Sequence, residues 1–346
     1  MRKMNLQFKA IIFIIAAALA LVCYTSCSKP APDIYIAGYE ELDNGNVIAV
    51  YWKNGEKTVL SDTSGSAWAF SIAVSGSDVY VAGLEAGDMG RLQALCWKNG
   101  VKTVLSHDVS TAWASSIAVS GSDVYVVGRE MNSQGRFTAL YWKNNHKNVL
   151  SDGPLSSLAN AIAISDSTVY IAGNDSNGQP VGVKAVYWKN GERLVLSENS
   201  GNAGVSAITV SGADVYIAGN EDSQAVYWKN GEKTALSDGS TITIINSIAV
   251  SGSDVYAAGN EINDQGRTIA IFWKNGDKSI LTDGTNAGMA NAVAVDRSDL
   301  YIAGRDTDSN NVHHAVYWKN GTKVSLLRGA GVSSATANHI TLVPKK

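Results

Sequence analysis

Asp214-Val215-Tyr216-Ile217-Ala218-Gly219, followed closely by Ala225-Val226-Tyr227-Trp228-Lys229-Asn230-Gly231, decides the fold, because near copies of this stretch occur seven times. Its tryptophan recurs at Trp52, Trp97, Trp142, Trp188, Trp228, Trp273 and Trp318, at intervals of 45, 45, 46, 40, 45 and 45 residues. Its first tyrosine recurs at Tyr35, Tyr80, Tyr125, Tyr170, Tyr216, Tyr256 and Tyr301. A third phrase, Ser-Ile-Ala-Val or a relative, begins at Ser71, Ser116, Ala161, Ala207, Ser247 and Ala292, and survives in degraded form over His339 to Leu342.

Each unit holds four short segments rich in Val, Ile, Tyr and Trp, bounded by Gly, Asn, Ser and Asp, which are strand signals. Asn-Gly between the third and fourth segments suits a two-residue hairpin turn, since both positions tolerate positive φ. Within the repeats the only prolines are Pro154 and Pro180, both between segments, as expected where strand interiors must donate to a ladder. Four antiparallel strands every 40 to 45 residues is the arithmetic of a β-propeller. The repeats begin on a second segment (Asp33 to Gly38) and finish on a lone first segment (His339 to Val343). The expected fold is therefore an all-β, seven-bladed propeller over residues 33–346, closed by pairing the last strand with the N-terminal blade.

The N-terminal residues differ from the rest. Arg2, Lys3 and Lys9 precede an apolar run from Ala10 to Val22 and then Tyr24-Thr25-Ser26-Cys27. A basic start, a 13-residue apolar run and a small residue before cysteine read as a signal peptide. The run is shorter than the roughly 20 residues a membrane-spanning helix needs. Ser26-Cys27 resembles a bacterial lipobox. The resemblance implies a lipoprotein signal peptide over residues 1–27 with Cys27 as the lipidated residue, a short linker over 28–32 and a place on the cell envelope, on the outer membrane with the side left open. With the tyrosine–tryptophan repeats, the chain resembles β-propeller lipoproteins of the Bacteroidetes type. The unit is also similar to the HAF-type extracellular repeat, most closely at His314-Ala315-Val316-Tyr317-Trp318-Lys319-Asn320-Gly321. Neither resemblance brings catalytic residues with it.

The chain carries 28 Lys and Arg against 31 Asp and Glu, a net charge of −3. Loss of Arg2, Lys3 and Lys9 leaves 25 cations and a charge of −6, which gives no footing for nucleic acid. Past Cys27 only Cys96 remains, so the folded part has no internal disulfide. No motif implies a cofactor or a resident metal, and a monomer is expected.

Repetition separates scaffold from site. Residues present in all seven units read as architecture: the tryptophans as inter-blade packing, each burying on the order of 200 Å², the tyrosines likewise, and Cys96 as a buried thiol in a tyrosine's place. One recurrent feature has two readings. A carboxylate follows each Ala-Gly phrase, at Glu40, Glu85, Glu130, Asp175, Glu221, Glu261 and Asp306. Seven acids form either a cation-attracting ring or a set of local acceptors for backbone N–H groups and serine hydroxyls, and the recurrence favours the second.

Connections between second and third segments, and between units, vary in length and should share one face, the place for a binding surface. The departures there are Trp68 and Trp113, equivalent positions in neighbouring units, where the others hold Leu158, Gly204, Ile244, Met289 and Thr336. Aromatic side chains there suit stacking on a sugar or gripping a partner's side chain. Phe70, His107, Asp108, Met289 and His314 complete the candidate ligand-binding set. No catalytic set is legible. Asp306 to Asn310 has the alternating oxygens of a calcium loop but lacks its turn glycine and distant glutamate. The sequence points to a non-enzymatic binding or scaffolding propeller for a glycan or an envelope protein. The alternatives are a glycan hydrolase or lyase with its site on the axis, and a purely structural component.

Overall fold

The computed structural model describes residues 30–87, 90–107, 111–151, 156–176, 182–197 and 202–345. The leader, Cys27 and Asp108 lie outside these. Residues Asp33–Val343 form one compact unit.

That unit is a seven-bladed β-propeller of four-stranded antiparallel sheets. The first blade is built from both ends of the chain: β1 (Asp33–Leu42), β2 (Val47–Lys53) and β3 (Glu56–Val59) are joined by the final strand, β28 (Val332–Val343), in the order β28-β1-β2-β3. Asp33 pairs with Val343 and Leu42 with Val332, so the ring is closed along the length of β1. Each other blade runs in simple order. The second, for example, is β4 (Ala67–Ser75), β5 (Asp78–Ala86), β6 (Leu92–Lys98) and β7 (Val101–Val104).

The core consists of seven clusters, each shared by two neighbouring blades. Tyr35, Ala37 and Ala49 of blade one pack with Ile72, Val81, Leu95 and Trp97 of blade two. At the closure, Tyr301, Ala303 and Ala315 of blade seven pack with Ile36, Trp52 and Ile340 of blade one. The seven tryptophans of the repeated phrase are at most 1% exposed. An apolar seam at every junction makes the ring cooperative, since no blade buries its faces alone.

One device sets how the inner strand meets its neighbours. Each inner strand carries a β-bulge, at Phe70, Ser115, Asn160, Ser206, Asn246, Asn291 and Asn338. The bulge pushes a carbonyl over the glycine of the Ala-Gly phrase on the second strand. A Cβ on Gly83 would lie 2.0 Å from the Trp68 carbonyl oxygen and 3.0 Å from the Trp97 ring; Gly173 meets Leu158 and Trp188 in the same way. Glycine, bulge and tryptophan therefore recur together because they touch.

The opposite face is held by the Trp-Lys-Asn-Gly phrase. Its asparagines adopt φ of 50–52°, as the hairpin turn requires. Each also accepts a backbone N–H at the start of its own blade's second strand, from Ile34 to Asn54, Val79 to Asn99 and so on to Leu300 and Asn320. The lysine before it lies over the second-strand tyrosine, 5.2–5.7 Å from the ring centre in every blade.

Candidate functional site

The inner strands surround a cavity of about 370 Å³ on the axis, lined by residues from all seven blades. Its lining is neutral and small: serines, alanines, isoleucines and asparagines, with Phe70 and His339 the large exceptions. The asparagines at the bulges tie blades together. Asn160, Asn246, Asn291 and Asn338 donate through Nδ2 to the carbonyls of Val205, Ala290, Ala337 and Ala69 in the next blade, at 2.8–2.9 Å. One residue on, Ser71, Ser247 and His339 accept the N–H of Ile117, Val293 and Ile72. Phe70 stands where these asparagines do and contributes no such bond.

His339 is the cavity's titratable side chain, and burial pushes its pKa down to about 4. Its Nδ1 accepts from Ile72, so the neutral imidazole carries its proton on Nε2. The unfolded chain would protonate near pH 6.5. Stability from this group is therefore full above pH 6.5, declines as pH falls toward 4, and levels off below that. The gap corresponds to on the order of 3 kcal/mol. His313, also lowered by burial, adds in the same direction; Asp62, Asp238 and Asp283, held below the ordinary carboxylate range by Ser or Thr hydroxyls, titrate beneath the window. His339→Ser keeps an acceptor of the kind Ser71 and Ser247 provide. Urea titrations at pH 7.0 and 4.5 should differ by markedly less in this variant than in the parent; equal differences would remove His339 from the account.

The carboxylates of the repeats lie beside the variable loops, and each is matched by a cation of its own blade. The pairs are Glu40–Lys57, Glu85–Lys102, Glu130–Lys147, Asp175–Arg193, Glu221–Lys233, Glu261–Lys278 and Asp306–Lys323. The partner common to all seven is thus a fourth-strand cation, and backbone donors of the kind expected from sequence are added at Glu40, from Gly329, and at Asp306, from Thr307. Glu40 is fully buried and Glu85 is not. Glu40→Gln should therefore cost about 2–3 kcal/mol in urea unfolding, and Glu85→Gln less than about 1 kcal/mol. Similar losses would show that burial does not govern these pairs.

Of the residues singled out by sequence, Trp68 and Trp113 stand at equivalent points of neighbouring inner strands, opposite Leu84 and Arg129. Both are half-buried. Trp113 packs edge-on against Phe137, with ring centres 5.4 Å apart and planes at 75°. Phe70 lines the axial cavity. His107 is exposed. Met289 pairs across its sheet with Arg305. His314 lies in a groove of about 690 Å³ between blades six and seven, its Nε2 3.0 Å from Asp308. Asp308 also accepts N–H groups from Asn310 and Val312 through Oδ1, as Asn132 and Asn263 do in their own hairpins. The calcium-like run is a capped hairpin. Among the described residues no group of three or more His, Cys, Asp or Glu is placed to hold a metal ion. Cys96 is buried, and burial pushes its thiol up to about 12, far from the thiolate needed for reactivity.

The residue that sequence reasoning missed is Arg129. Its guanidinium carbon lies 4.3 Å from the centre of Trp113 and 5.3 Å from that of Phe137, and its Nε is buried with no hydrogen-bond partner. The position just before the repeated carboxylate reads Tyr39, Leu84, Arg129, Asn174, Asn220, Asn260 and Arg305 across the blades. Tabulating that column would have isolated Arg129.

The sequence matches no protein-family model and no curated protein. Solved structures share the fold. A puromycin-hydrolysing peptidase of Mycobacterium tuberculosis aligns with a TM-score of 0.59 at 11% identity, over 87% of this chain and 53% of its own. An acylaminoacyl peptidase of Pyrococcus horikoshii aligns at 0.53 and 11%, over 87% and 51%. This chain thus spans about half the length of either peptidase. The β-propeller domain of the Trilobed protease from Pyrococcus furiosus aligns at 0.55 and 10%, over 87% of this chain and 96% of that domain. That domain is described as having an open velcro topology, whereas here β28 closes the first blade.

Proposed function

We propose that this chain is a cell-envelope lipoprotein that works without catalysis, a binding or scaffolding propeller that recognises a glycan or a protein through its variable loop face. The observation that carries the reading is where the ionisable groups go. The carboxylates that recur in the blades are occupied by cations of the same blade, and the axial cavity presents neutral amide and hydroxyl side chains. Glycoside hydrolysis ordinarily needs two carboxyl groups flanking one bond, and among the described residues no carboxylate lines that cavity. The cavity offers the hydrogen-bonding surface of a binding site instead.

The test is a binding screen of residues 28–346, which contain the closed ring entire, against a broad glycan panel, with envelope proteins captured in parallel. Trp68→Ala with Trp113→Ala is expected to lower affinity for the ligand found by more than tenfold. Unchanged affinity would remove these residues from the site, and steady release of reducing ends from any panel member would favour the enzyme reading. Attachment through Cys27 predicts that Cys27→Ser abolishes incorporation of labelled fatty acid.

A further inference from the structure

We propose that Trp113, Arg129 and Phe137 form a receptor for the carboxylate of an acidic sugar residue. This inference rests on the binding reading above and gives it a ligand class.

Arg129 occupies the position just before the repeated carboxylate of its blade. In blades four to six that position has a structural task. The Oδ1 atoms of Asn174, Asn220 and Asn260 accept the N–H of Val205, Ile245 and Ala290 on the next inner strand, at 2.7–3.2 Å. An arginine has five donors and no acceptor, so it cannot take over that bond. Arg129 is released from scaffolding, unlike the cations of the ion pairs above.

It is also electrostatically incomplete. The side chain is half-buried, and among the described residues no carboxylate pairs with it. Burial alone pushes its pKa down, yet an arginine keeps its proton in proteins. Two aromatic faces return about 0.5–2 kcal/mol each to such a cation. They do not satisfy its buried Nε–H, and a buried donor without a partner is costly. An incoming carboxylate would remove that cost, since the planar fork binds it bidentately.

The surroundings favour a sugar as the bearer. Trp113 and Phe137 supply apolar surface for the C–H face of a pyranose. Two residues along from Trp113, Ser115 opens on the axial cavity, as does Asn160 of the next blade, giving donors and acceptors suited to hydroxyl groups. Trp68 stands one blade away at the same level of its inner strand. The second arginine of the column, Arg305, lies across from Met289 rather than a tryptophan, with His313 nearby where blade three has Phe137, and serves as the internal control.

The experiment measures binding of residues 28–346 to uronate and sialylated oligosaccharides, each beside the same oligosaccharide with its carboxyl reduced to an alcohol. A peptide with a free C-terminal carboxylate forms a further arm. At least one acidic member should bind more than tenfold tighter than its reduced form. Arg129→Gln should erase that preference and Arg129→Lys most of it, while Arg305→Gln leaves it intact. Thermal melts of both glutamine variants should match the parent, so that lost binding is not lost folding. The inference is overturned if no acid is preferred, if Arg129→Gln keeps the preference, or if the peptide alone binds through Arg129. Reduced sugars binding as well as acidic ones would sink the carboxylate receptor and leave the binding reading standing. No ligand in any arm and no captured envelope protein would count against both.

Discussion

Gly128→Ala is expected to prevent the protein from folding, or to reduce its stability by more than about 4 kcal/mol, out of the roughly 5–15 kcal/mol that a native domain has. The added Cβ would sit 1.8 Å from the carbonyl oxygen of Trp113 and 2.9 Å from its carbonyl carbon. Both are backbone atoms of the bulge, which cannot retreat without breaking the ladder between the first two strands of blade three. Gly100→Ala provides the contrast. Gly100 has φ of +82° in the hairpin turn, and nothing lies within 4 Å of its would-be Cβ. Its penalty is conformational, about 1 kcal/mol. Soluble yield and urea midpoints of the two variants separate the cases, and equal losses would mean that close approach at the bulge does not constrain the blade.

Ending the chain at Gly331, and so deleting β28, is expected to open the ring. The first blade loses its innermost strand, and Ala335, Ala337 and Ile340 leave the cluster that covers Trp52. The N–H of Ile72 and the carbonyl of Ala69 lose the side chains of His339 and Asn338. The exposed edge of β1 becomes a template for another chain. The truncated protein should melt far below the parent and elute as oligomers in size-exclusion chromatography. Adding a peptide of residues 332–346 should restore a monomer. A monomeric truncation with the parent's melting temperature would show that closure contributes nothing.

Much of the fold was legible because repetition reports it directly. The tryptophan spacing supplied the blades, the Asn-Gly pairs the hairpins, and the stray segment at His339 the closure. What could not be read was which residues the folded geometry sets against each other. The bulge at Phe70 and its equivalents leaves no mark in an apolar–polar pattern, so the glycine of Ala-Gly looked like an ordinary small residue. Lys57 and its counterparts stood 17 residues from their carboxylates in most blades, too far for a local pattern to link them. Arg129 was overlooked for the opposite reason. It lies directly beside Glu130 in the chain, and nothing in the sequence shows that the fold sets it against Trp113 instead.

The way the ring is fastened has a mechanical consequence. Asp33 and Val343 are opposite each other at one end of the antiparallel β1–β28 ladder. Tension applied to both ends of the propeller would load that single rung first and pass to the next only after it broke, as a zipper opens. Sliding a whole strand past its neighbour would require every rung to fail at once. The fastening is therefore strong against heat, where all rungs act together, and weak against pulling from its two ends. A molecule tethered at one end only would never feel that weakness.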